Sequence, residues 1–366
     1  MLFRSPPDEQ ISDLDDVESE LAERLDGSHY RDDVLRLLFI CCHPDLQPSQ
    51  QIALALRIVS GLSVAQIARA FLVSEAAMEQ RITRAKQRIA QRSKEGADVP
   101  FEVPGAAERA ERLAAVAAMI YLLFNEGYSA GNDASRAPLC DEAIRLVRLL
   151  LRLFQTEPEI MGLAALMLLQ QSRLPARFDA DGEAILLDDQ DRSRWDPKFI
   201  NEGLALLDKA VRHNRPGPYQ IQAAIAAIHS RAATPAQTDW AGIEALYLVL
   251  ERMQPSPVIT LNRAVAVAKL HGPEAALELI APLEQPLSGY FHFFGARGAF
   301  LLQLGREREA RADFDRAIAL ANTPAEAAHI RQHLDRLMAS SSNSEAVGHS
   351  IKRPRLRVFC GVIGRE

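Results

Sequence analysis

The chain has 366 residues, 48% of them hydrophobic, and a formal net charge of −6, which is room for two or three ordinary domains. Its four cysteines, two of them adjacent, form no disulfide framework, because neighbouring cysteines bridge only with strain. No apolar run reaches the roughly 18 residues that a membrane helix needs, and the N-terminus lacks a secretory pattern. The expectation is a cytoplasmic protein with no membrane span.

The chain opens acidic. Between Asp8 and Asp33 eleven acids face two arginines, and residues 1–30 read as a linker with at most a marginal helix. A compact helical block is expected over 31–95. It begins with "LLFICCHPDLQPSQ", where Cys41 and Cys42 run into His43. A zinc site requires about four ligands, and His29 and His43 are the nearby histidines. The expectation is therefore buried free cysteines and no metal or cofactor.

Between Leu46 and Glu95 the charge reverses. Eight bases (Arg57, Arg69, Arg81, Arg84, Lys86, Arg88, Arg92, Lys94) face three acids (Glu75, Glu79, Glu95), a balance of about +5. Charge alone fits both contact with a polyanion and a solvated helix face. Within this island "GLSVAQIARAFLVSEAAMEQRITRAKQRIAQ" has the layout of a helix-turn-helix. Ser63 is placed to cap a short helix, "LVS" to turn, and Ser74 to cap a second helix. Met78, Ile82, Ala85 and Ile89 then fall on one stripe, and Gln80, Arg81, Arg84, Lys86, Gln87 and Arg88 on the other faces. A helix apolar on one side and basic on the other suits the major groove, its early residues reaching base edges and its later ones phosphates. The bland alternative is an exposed charged helix in an α-bundle.

Two prolines and two glycines in "EGADVPFEVPG" mark a linker at 96–105. From 106 to 338 helix is expected after helix, beginning with Leu113, Val116, Ala117, Ile120, Leu123 and Phe124 on one face. The exception is 176–196, where Asp181-Gly182 between short alternating runs predicts one short β-hairpin. Asp179 and Asp181 resemble a calcium loop only faintly, since Gln190 stands where its bidentate glutamate belongs. Further on, Gly298, Leu301, Ala310, Phe314 and Ala317 have counterparts 34 residues earlier at Ala264, Val267, Ala276, Ile280 and Leu283. A weaker copy is read at Ser230, Ala233, Gly242, Leu246 and Val249. Small residues where paired helices cross, recurring at 34, are the tetratricopeptide pattern. The Ser-rich, then basic tail at 339–366 is read as disordered and foreign to the protein, with no role for Cys360. The fold class is all-α.

On these residues the chain resembles bacterial RNA polymerase sigma factors of the extracytoplasmic-function type. "GLSVAQIARAFLVSEAAMEQRITRAKQRI" looks like their region 4. "RLLFICCHPDL", "YLLFNEGYSAG", "LLDDQDRSRWD", "GPYQIQAAIAAIHS" and "SPVITLNRAVAVAKLHGP" look like the subgroup with a long tetratricopeptide-like extension. The resemblance implies a non-enzymatic initiation factor whose partners are the promoter −35 element and the β-subunit flap of core polymerase. Its extension is expected to regulate activity and to bind a protein or peptide ligand. Arg81, Arg84, Lys86 and Arg88 are the expected DNA contacts, with Gln80 and Glu79 as base readers. Two departures stand out. Leu72 occupies the turn where glycine is common, and Glu79 stands where related factors often carry lysine. The acidic residues 8–30 match only the linker after region 2, so the chain resembles such a factor without that region. The rival reading is a tetratricopeptide interaction scaffold that does not bind DNA.

Overall fold

The computed structural model describes residues 37–38, 41–42, 46–71, 73–94, 106–128, 137–180, 185–321 and 330–331. Among the described residues the chain is all-α: thirteen α-helices, four short 3-10 turns and no β-strand. The expected linkers and the tail at 339–366 lie outside the described residues, as do Leu72 and His43. The chain divides into two compact units, Met1–Met119 and Ile120–Glu366, with the division inside one helix (α4, Ala106–Tyr128).

In the first unit Leu37, Leu38 and Cys41 are helical, and the Cys42 N–H donates to the Leu38 carbonyl at 3.0 Å. Helix α1 (Pro48–Ile58) starts on a proline, whose missing N–H costs nothing in a first turn. Five consecutive residues of α1, Ile52 to Leu56, are buried, so its middle is enclosed on all sides. The chain leaves α1 through Gly61, whose φ of +68° is a left-handed conformation that a side chain resists. The Arg57 guanidinium donates to the Leu62 carbonyl across this corner, 3.1 Å. Helices α2 (Val64–Ala70) and α3 (Glu75–Lys94) follow, and all three pack on one another. Their shared core is Leu46, Leu54, Leu56, Ile67, Met78, Ile82 and Ala85, each at most 4% exposed. Full burial of a side chain such as Met78 contributes about 1.5–3 kcal/mol.

The second unit is a succession of helices, each packed on the next from α5 onward. They are α5 (Ala137–Leu153), α6 (Pro158–Gln171), α7 (Pro197–Val211), α8 (Pro218–Arg231), α9 (Trp240–Met253), α10 (Pro257–His271), α11 (Pro273–Ile280), α12 (Phe291–Gln303) and α13 (Glu307–Leu320). Helix α6 packs against α5, α7 and α8, and all its residues but Glu159 are buried. That explains why it reads as apolar without a stripe. Glu159 has another task. Its carboxylate accepts from the Tyr219 and Gln220 N–H groups at 3.1 and 3.2 Å, placing negative charge on the positive end of α8.

A 34-residue spacing shows in the starts of two successive helix pairs. Helices α10 and α11 begin at residues 257 and 273, α12 and α13 at 291 and 307, so both recur after 34. Gly298 marks the crossing of α12 on α13: a Cβ there would lie 2.8 Å from the Phe314 ring. The third copy is not in register. Helix α9 begins 33 residues before α11, and α8 begins 39 before α10. The connection between α8 and α9 carries an extra 3-10 turn, Pro235–Gln237. As a result Ile243, Tyr247 and Leu250 face inward, while Val249 is 39% exposed.

The expected hairpin over 176–196 also needs correction. The chain does reverse, with the Ile185 N–H donating to the Arg177 carbonyl at 2.7 Å. Among the described residues, however, the flanks pair only through a single bridge at Phe178, and Asp181 to Ala184 lie outside them. The reason is packing. Leu186 and Leu187 are both buried, which breaks the alternation a strand needs. On the other flank the Arg177 guanidinium turns to Tyr128, 3.6 Å over its ring and donating to its carbonyl.

Candidate nucleic-acid interface

Three local devices present α3. Ser63 and Gln66 close a reciprocal capping box at the start of α2: the Gln66 N–H donates to Ser63 Oγ at 3.2 Å and the Ser63 N–H to Gln66 Oε1 at 2.8 Å. After α2, the Val73 N–H donates to the Ala68 carbonyl at 3.1 Å, a 6→1 closure of the kind that ends a helix. Ser74 then caps α3, its hydroxyl accepting from the Ala77 N–H at 3.2 Å. A two-turn helix, a short turn and a capped 20-residue helix stacked on a shared core are a helix-turn-helix.

The buried stripe of α3 fixes the outward faces. Met78, Ile82 and Ala85 are buried, and Ile89 is half-buried one turn later. At about 100° per residue, the face opposite this stripe carries Ala76, Gln80, Thr83 and Gln87, all exposed. Arg81, Arg84 and Arg88 share one flank, spaced three and four apart. Glu75, Glu79 and Lys86 share the other. Glu79, Gln80, Arg84, Lys86 and Arg88 are exposed, whereas Arg81 is half-buried beside the core.

This geometry distributes the chemistry. The outward face is neutral and hydrogen-bonding, able to meet base edges, while the arginine flank suits phosphates. Thr83 stands at the edge of that outward face, on the side of Glu79, and went unnoticed in the sequence because it carries no charge. Counting the helical period from Met78 would have placed it. Glu79 is not on the arginine side, so its carboxylate lies away from that row of positive charge.

The cysteines at the start of the unit are inert. Cys41 and Cys42 are at most 1% exposed. Burial pushes the Cys41 thiol up to about 12 and raises Cys42 as well, helped by its neighbour. Among the described residues no group of three or more histidines, cysteines or carboxylates is gathered as a metal site. None of the described helices is long and apolar enough to cross a membrane.

Comparison with known proteins agrees with the geometry. Residues 36–89 match the model of sigma-70, region 4, and residues 112–211 match a family of unknown function (DUF6596). No solved structure matches the chain. An uncharacterized protein of Rhizobium meliloti (strain 1021) is 68% identical over 336 residues, covering 91% of this chain and 78% of the relative. Identity at that level over that span means that the chain belongs to the same family as the Rhizobium protein, and its own helix-turn-helix matches sigma-70 region 4, as a sigma-factor-like protein would.

Proposed function

We propose that the protein is a transcription initiation factor of the extracytoplasmic-function sigma type. In this reading α3 enters the major groove of the promoter −35 element, and the same domain rests on the β-subunit flap of core RNA polymerase. The observation that carries it is the exposed polar face of α3, capped by Ser74 and backed by the Met78–Ile82–Ala85 core, within the segment that matches region 4.

Gln80, Thr83 and Arg84 occupy the early outward positions that reach base edges. A Gln amide pairs with the N6/N7 edge of adenine, and an Arg guanidinium with the O6/N7 edge of guanine. Glu79, on the opposite flank, can accept from a cytosine amino group. Arg88 and Lys86 lie further along the helix, where they meet phosphates on either side of the groove, and Arg81 supports from the edge of the core. The factor performs no covalent chemistry; it positions polymerase at a promoter, in the cytoplasm.

The second unit supplies regulation as a tetratricopeptide-like extension that binds a protein or peptide. Support for this comes from the 34-residue recurrence of α10–α11 in α12–α13 and the close crossing at Gly298. That recurrence also favours a second reading, an interaction scaffold that never contacts DNA. Binding of the full chain to a library of short duplexes at two salt concentrations separates the two. A sigma factor selects a sequence, binds more weakly at higher salt, and loses about one unit of salt slope per phosphate contact removed, as in Arg88→Ala. A scaffold shows neither selectivity nor salt dependence.

A further inference from the structure

Far from the helix-turn-helix in sequence, the second unit gathers an unusual set of side chains around His229 of α8. His229 is 4% exposed and stands edge-on to Trp240 at the start of α9, ring centroids 5.4 Å apart. Arg173, Arg192 and Lys269 are close enough for their charges to act on its ring. Lys269 lies 5.3 Å over the Trp240 ring and is held by Asp188 at 2.7 Å. Arg192 lies 5.2 Å over Trp195, which is itself 4% exposed. Arg173 reaches back to donate to the Tyr128 hydroxyl at 2.9 Å. Three cations therefore act on one histidine, and Asp188 is paired with one of them, Lys269.

Part of this set has a structural task. One Arg192 nitrogen donates to the His229 and Ala232 carbonyls at 2.9 and 2.6 Å, and another to Thr238 Oγ1 at 3.3 Å, which satisfies the free carbonyls at the end of α8. Capping does not account for the rest. Arg192 Nε and Trp195 Nε1 are shielded from solvent and have no acceptor, and His229 Nδ1 has no partner. Guanidinium and indole N–H groups can only donate. Buried donors without acceptors are costly and rare, and here they lie beside positively charged side chains. What completes such a set is an acceptor carrying negative charge.

We propose that Arg173, Arg192, Trp195, His229 and Lys269 form the binding site of a small oxyanion-bearing molecule, a carboxylate or a phosphate. The two arginines and Lys269 balance its charge. Trp195 Nε1 and Arg192 Nε donate to its oxygens, and Trp240 walls the site. His229 is neutral, since burial and then the three cations hold its pKa down at about 3, so its Nδ1 carries a proton to donate or a lone pair to accept without adding charge. The lining comes from α8, α9, α10 and the segments on either side of the 178–185 reversal, so occupancy would tie five separate stretches of chain together. Nothing in this site depends on DNA binding by α3.

The protein carries its own reporter. Trp195 and Trp240 are the two tryptophans of the chain, and both belong to the site. The full chain is titrated with inorganic phosphate and, separately, with acetate, at constant ionic strength maintained with chloride, while tryptophan emission is followed. The expected result is a saturable change with at least one anion that chloride does not reproduce. Its apparent Kd rises about tenfold in Lys269→Gln and in Arg173→Gln, the loss of one charge-assisted hydrogen bond. Circular dichroism selects the variants that keep their fold, and either one suffices. A response to phosphate alone assigns a phosphorylated ligand, and a response to acetate alone a carboxylic acid. The proposal is overturned by no saturable response to either anion, by a response that chloride matches, or by folded variants that bind as the parent does.

Discussion

Lowering the pH should destabilise the second unit through His229. In the unfolded chain this imidazole titrates near its ordinary value of about 6.5. In the folded protein burial in α8, and then the charges of Arg173, Arg192 and Lys269, hold its pKa down at about 3. Below pH 6.5 the unfolded chain therefore takes up a proton that the folded chain refuses. The stability is fully present above that pH and declines as the pH falls toward 3. Between pH 7 and pH 5 the folded imidazole stays neutral while the unfolded one titrates, which costs about 2 kcal/mol at about 1.4 kcal/mol per pH unit. Other groups also titrate on acidification, so the measured quantity is the difference between the parent and His229→Gln. Urea unfolding followed by tryptophan emission reads the second unit, because Trp195 and Trp240 both lie in it. The stability gap between parent and variant should shift by about 2 kcal/mol from pH 7 to pH 5, against the parent. A gap that is independent of pH would refute the burial and the cationic surroundings assigned to His229.

Ser74→Ala removes the hydroxyl that caps α3 and should cost the first unit about 1 kcal/mol; thermal melting of parent and variant checks it. Gly298→Val forces a side chain into the 2.8 Å approach of the Phe314 ring and should destabilise the second unit by about 1–3 kcal/mol, read by urea unfolding. Cys41, Cys42 and Cys140 are buried with raised thiol pKa values. Iodoacetamide at pH 8 should leave these three unmodified in the native protein and modify all of them in urea, as peptide mass analysis will show. Rapid native labelling of Cys41 or Cys42 would mean that the start of the first unit is not packed as described.

The helices were legible because their signals are local. Met78, Ile82 and Ala85 announce a buried stripe by spacing alone, and Gly298 with Ala310 and Phe314 announces a crossing by period. Where sequence reading failed, a distant contact had overruled a local pattern. The alternation around Asp181-Gly182 resembles a hairpin, but Leu186 and Leu187 are both drawn into the core and Arg177 is drawn to Tyr128. The third repeat slipped because the step from α8 to α9, which includes a 3-10 turn, is six residues longer than the step from α10 to α11 and resets the phase of α9. Similarly, Arg81 looks as free as Arg84 on paper, yet it lies against the core edge. The set around His229 was illegible for the plainest reason: its members lie between residues 173 and 269, and no spacing rule connects them.

The measurement that bears most directly on the central claim is binding of the full chain, with and without core RNA polymerase, to a randomised duplex library at low and moderate salt, with Gln80→Ala and Arg84→Ala alongside. The account predicts enrichment of one short motif, weaker binding at higher salt, and relaxed selectivity in both variants at the base pairs those residues read, at a cost of about 1–3 kcal/mol each. Absence of an enriched motif in the presence of polymerase, or variants that select the same motif with parental affinity, would contradict the assignment of α3 as a promoter-reading helix.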